Sequence, residues 1–63
     1  MREWLVKARS KKGMSQCEVA EKANISQSYY AGIETGMRGR PLNVPIAKAI
    51  ASVLEFDWTR FYD

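Results

Sequence analysis

The stretch Ser15-Gln-Cys-Glu-Val-Ala-Glu-Lys-Ala-Asn-Ile-Ser-Gln-Ser-Tyr-Tyr-Ala-Gly-Ile-Glu-Thr-Gly36 decides the fold of this chain. It opens on Ser-Gln-Cys-Glu, the capping-box order in which a serine oxygen takes one orphan helix amide and a glutamate three residues on reaches back to another. Val19, Ala20 and Ala23 then supply an inward face of small residues, which predicts a short helix over residues 16 to 23. Asn24 and Ile25 make a turn. Ser26 is a second N-cap, and the segment after it is closed by Gly36. Within that segment Tyr30 and Ile33 are three apart, as a core-facing stripe requires, so Gln27 and Ser28 point outward. Two capped helices around a tight turn, the first rich in small residues, describe a helix-turn-helix over about residues 15 to 35.

Working outward, Trp4, Leu5 and Ala8 recur at helical spacing and Gly13 stands where a C-cap is wanted, which predicts a first helix over residues 2 to 12. Met37-Arg-Gly-Arg-Pro-Leu42 reads as a loop. Asn43 is placed to cap a fourth helix, with Pro45 in its first turn where no amide is missed. Ala47, Ile50, Ala51 and Leu54 carry the helical period there. Asp57 is a last N-cap before a short fifth helix bearing Trp58, Phe61 and Tyr62. These aromatics either close the bottom of the core or lend part of their surface to a dimer interface. No strand pattern, repeat or linker interrupts the chain, so one all-α domain over residues 1–63 is expected.

Composition narrows the function. At 63 residues with 46% hydrophobic content, the chain has room for one small core and is too apolar to stay disordered. Cys17 is the only cysteine and there is no histidine, which rules out an internal disulfide and an ordinary zinc site. The expected cofactor is none. Cys17 also has no evident base beside it, so an enzyme is not expected. Charges at Arg2, Glu3, Lys7 and Arg9 break up the N-terminus, leaving neither a signal-peptide core nor a run of the ~20 apolar residues that spans a bilayer, and a cytoplasmic protein is expected. The net charge of +3 points to a polyanionic partner. The positive charge gathers in two places: Arg2, Lys7, Arg9, Lys11 and Lys12 against Glu3 at the start, and Arg38 with Arg40 in the loop.

Gly13-Met-Ser-Gln-Cys-Glu-Val-Ala, the run from Ile25 to Gly36, Ala47-Lys-Ala-Ile-Ala and Asp57-Trp58 together resemble the DNA-binding domains of the phage repressor and Cro (XRE-type) family, over essentially the whole chain. The resemblance implies a compact five-helix domain like that of lambda repressor, acting as a transcriptional regulator on double-stranded operator DNA, usually as a homodimer on paired half-sites. It implies base contacts from Gln27 and Ser28, at the head of a helix lying in the major groove, where a glutamine amide suits adenine. An ordinary solvated first turn is the other reading of the same two residues. Gly32 lies one turn after Ser28, and either lets the backbone approach a base or faces solvent. The expected phosphate contacts are Gln16, which in the family also braces the first residue of the next helix, with Ser26, Tyr29, Arg38 and Arg40; plain solvation is the other reading of Gln16, Tyr29 and the two arginines. Lys7, Lys11 and Lys12 are weaker candidates because the first helix is a support. Arg9 and Glu34 match a structural ion pair. An adaptor or antitoxin-like domain working through a protein partner is the competing reading.

Overall fold

The computed structural model describes residues 2–37 and 42–62. Four α-helices follow one another, α1 (Glu3–Lys11), α2 (Gln16–Lys22), α3 (Gln27–Thr35) and α4 (Val44–Leu54), and a 3-10 helix, Trp58–Tyr62, closes the chain. Among the described residues there is no strand. α2 packs against both α3 and α4, α1 against α3, and the 3-10 helix against α4. Their apolar faces converge on a core in which Leu5, Val19, Tyr30, Ile33, Ala47 and Ile50 are fully buried.

The helices stop in one way. Each is followed by a residue in the left-handed region: Gly13 (φ 67°), Asn24 (φ 61°), Gly36 (φ 82°) and Glu55 (φ 60°). The amide of the next residue then turns back onto the last helical turn, Ile25 N–H to the Ala20 carbonyl at 2.9 Å and Met37 N–H to the Gly32 carbonyl at 3.0 Å, which satisfies carbonyls the helix itself leaves open. Asn24 therefore shapes the turn of the helix-turn-helix by its backbone. Glycine and asparagine tolerate this conformation; a glutamate does so at a cost of about 1–2 kcal/mol. Replacing Glu55 by glycine relieves that cost, offset in part by the extra freedom of glycine when unfolded and by loss of the exposed ion pair to Lys12. Glu55→Gly is expected to raise stability by about 0.5 kcal/mol and Glu55→Val to lower it by about 1 kcal/mol, both read from thermal unfolding.

Three expectations are corrected. The fifth helix is a single 3-10 segment of five residues. The Asp57 carboxylate, which opens it, accepts from the amide and hydroxyl of Thr59 at 3.0 and 2.8 Å, a local turn that competes with α-helical geometry. Of its aromatics only Phe61 is buried, forming a cluster with Trp4 and Phe56 at centroid separations of 5.1 and 5.6 Å. Trp58 and Tyr62 pair with each other at 6.0 Å nearer the surface, where the Tyr62 hydroxyl donates to the Leu42 carbonyl. Asn43 precedes α4 but its side chain makes no capping bond. Pro45, at the second helical position, has no amide to offer, so one of the two usual targets of a capping oxygen is missing. The remaining differences are at the ends of α1 and α2, where Arg2, Lys12 and Ala23 sit at caps rather than inside.

Candidate nucleic-acid interface

α3 carries two faces. Tyr30, Ile33 and Glu34 are buried, whereas Gln27, Ser28 and Thr35 are exposed and Gly32 is half-exposed. Ser28, Gly32 and Thr35 are spaced by four and three residues, so they share the side away from the core, with Gln27 at its leading edge. Thr35 was absent from the sequence-based candidates although the same period reaches it. Its hydroxyl donates to the Gly32 carbonyl at 3.0 Å.

Both helices of the motif start at a serine. Ser15 Oγ accepts the Glu18 amide at 3.1 Å while the Ser15 amide donates to Glu18 Oε1 at 3.0 Å, which completes the capping box. Ser26 Oγ accepts the Tyr29 amide at 3.0 Å, which leaves its own proton free for an outside acceptor. Tyr29 is half-buried at the edge of the core. Cys17 is exposed in the first turn of α2.

A buried carboxylate fixes where α3 points. Glu34 is 1% exposed. Arg9, from α1, donates to it in bidentate fashion, Nε to Oε2 at 2.6 Å and Nη2 to Oε1 at 3.4 Å, and its Nη1 reaches the Met14 carbonyl in the α1–α2 turn at 2.9 Å. Gln16, from the start of α2, donates Nε2 to Glu34 Oε1 at 2.8 Å. The carboxylate only accepts, so it also dictates which end of the Gln16 amide faces inward. Gln16 thus braces the end of α3, not its first residue, and this bond uses one of the two N–H groups of its amide. Arg2 is a third tie: its amide donates to the Glu34 carbonyl at 2.7 Å and its Nη1 to the Ile33 carbonyl at 2.6 Å, serving the open C-terminal end of α3. Nothing local in the sequence signalled that role for Arg2.

Burial pushes the Glu34 pKa up, but the hydrogen bonds from Arg9 and Gln16 and the charge of Arg9 outweigh it and hold the group below its ordinary value of 4.5. Tyr30, buried beside it, is pushed far above the usual 10.0, first by burial and then by the Glu34 charge. The sign for stability follows from the depressed carboxylate. Its contribution is complete above pH 4.5 and is lost as the pH falls through the lower, folded value. The resistance of the wild type to urea is therefore expected to weaken in acid below that point, and Glu34→Gln to flatten the slope there.

Of the two basic groups seen in the sequence, the first divides in the structure. Arg2 and Arg9 are internal ties, whereas Lys7 and Lys11 are exposed on α1 and Lys12 at its C-terminal cap. Arg38 and Arg40 lie outside the described residues. Among the described residues no cluster of His, Cys, Asp or Glu is arranged to hold a metal ion, and no helix is long and apolar enough to cross a membrane.

A helix with one exposed face, held on the other by α1 and α2 after a turn of fixed geometry, defines a helix-turn-helix domain, and residues 5–61 match the helix-turn-helix family, to which the chain belongs. Over its full 63 residues it is 48% identical to the uncharacterized HTH-type transcriptional regulator YqaF of Bacillus subtilis (strain 168), covering 80% of that protein. The fold is similar to the N-terminal DNA binding domain of SinR from Bacillus subtilis, with a TM-score of 0.84 and 26% identity over 97% of this chain and 87% of that one.

Proposed function

We propose that this chain is a sequence-specific DNA-binding transcriptional regulator, a repressor that places α3 in the major groove and binds a two-fold operator as a homodimer. The observation that carries the reading is the divided α3: one face is locked by Glu34 and the core, and the other presents Gln27, Ser28 and Gly32 to solvent. Gln27 opens the helix, where side chains reach base edges, and reads adenine through its amide. Ser28 makes a shorter base contact and Gly32 allows close approach. Ser26, Gln16 and Tyr29 bind flanking phosphates, joined by Arg38 and Arg40, which stand between α3 and α4 in the sequence.

The dimer places two such helices about 34 Å apart, one turn of DNA. The surface around Val44, Trp58 and Tyr62 suits the contact, since Val44 and Tyr62 are 41% and 43% exposed.

The test is selection of bound duplexes from a random library at ~150 mM salt, where generic phosphate attraction is already weakened. An inverted repeat is expected from the wild type. Gln27→Ala is expected to relax one position in each half-site and to weaken binding about tenfold, within the roughly 1–3 kcal/mol of a bidentate base contact. Recovery of no motif from folded protein excludes the reading.

A further inference from the structure

A surface cleft of about 750 Å3 lies between the outer side of α1 and the turn joining α4 to the 3-10 helix, and no residue of α2 or α3 lines it. Its floor is apolar: Trp4, Ala8 and Phe56 are half-buried there, with the two rings edge to face at 5.2 Å. Its rim is basic. Lys7, Lys11 and Lys12 line one side, and on the other the Arg60 guanidinium stands 4.8 Å from the centre of the Trp4 ring. Against these four cations the lining has two carboxylates, Glu3 and Glu55, and Glu55 is already paired with Lys12. Lys7 and Lys11, one helical turn apart, make no ion pair among the described residues.

Charge complementarity calls for an anionic occupant, and the aromatic floor calls for one with an apolar side chain. A second duplex meets only the first demand: its rigid backbone sets phosphates against Glu3 and leaves the floor unused. We propose that this cleft docks a short acidic segment of a partner protein, with carboxylates between the two lysines and Arg60 and an aromatic or large aliphatic side chain on Trp4 and Phe56. The cleft is separate from the outward face of α3, so the segment and DNA bind at the same time. The proposal does not depend on the DNA-binding reading, whose failure appears in the duplex selection and not here.

The test is an NMR titration of the isotope-labelled chain with a capped heptapeptide of Asp and Glu around a central Phe. Its controls are the same peptide with Lys for the acids and with Ser for the Phe. Amide shifts are expected along α1 and from Phe56 to Arg60, not in α3, and both controls are expected to bind more weakly. The paired substitution Lys7→Gln and Lys11→Gln removes two exposed charges without placing like charges one turn apart on α1, so the melting temperature is expected to hold while peptide affinity falls at least about threefold. The absence of cleft shifts at ~1 mM peptide, undiminished binding by that variant, or cleft shifts produced by a short DNA duplex and not by the peptide each overturns the proposal.

Discussion

Arg9→Ala lowers the unfolding free energy by about 3–5 kcal/mol, the usual consequence of removing one partner from a buried ion pair. A domain of this length draws only about 3–5 kcal/mol from its core, so the variant sits near its unfolding midpoint at room temperature. The cost is large because the Glu34 carboxylate, 2% exposed, is left with the Gln16 amide and no cation. Glu34→Ala costs less, since the Arg9 side chain it strands is 18% exposed and keeps its bond to the Met14 carbonyl. The pH dependence separates this mechanism from plain loss of packing. Without Arg9 the Glu34 pKa rises above its unfolded value, so the variant is expected to gain stability as the pH falls, opposite to the wild type. The double variant Arg9→Met with Glu34→Leu is expected to recover most of the loss. A cost below about 1 kcal/mol for Arg9→Ala in urea melts shows that the pair behaves as a surface contact and that α3 is held by packing alone.

Ser28→Glu separates folding from binding. Ser28 is exposed in the first turn of α3, where a carboxylate meets the positive end of the helix and adds about 0.3–1 kcal/mol of stability. In the proposed docking of α3 the same carboxylate faces bases and phosphates, where like-charge contact costs several kcal/mol. Affinity for the selected operator is expected to fall at least about 100-fold at ~150 mM salt while the melting temperature rises. Fluorescence anisotropy with a labelled duplex reads the first quantity and a thermal melt the second. Undiminished binding places some other surface of the domain on DNA.

The helix-turn-helix segment was legible because its boundaries are written in neighbouring side chains: Ser15 with Glu18, Ser26, and Gly36 at the end. The turn was placed at Asn24 for the same local reason. Where an outcome depended on competition between local terms, the sequence pointed the wrong way. Asn43 looked like a cap, but Pro45 removes one amide that a cap serves, and the Asp57 turn produces a 3-10 segment where an α-helix was expected. Contacts between distant residues left no local signal at all. Arg9 and Glu34 are 25 positions apart, and their pairing was inferred only through family resemblance; Gln16 bonding to Glu34 and Arg2 bonding to Ile33 were not anticipated. The cleft was invisible for the same reason, since Arg60 joins the lysines of α1 only through the fold.

The division of α3 into a buried and a presented face has a consequence for descent. Tyr30, Ile33 and Glu34 answer for the integrity of the domain, and substitutions there are purged with it. Gln27 and Ser28 make no side-chain bonds that the interior needs, so most replacements at these two positions shift stability by no more than about 0.5 kcal/mol. If the proposed base contacts hold, two copies can after a duplication drift to different operators by one or two changes each, with no compensating mutation, while their interiors stay interchangeable.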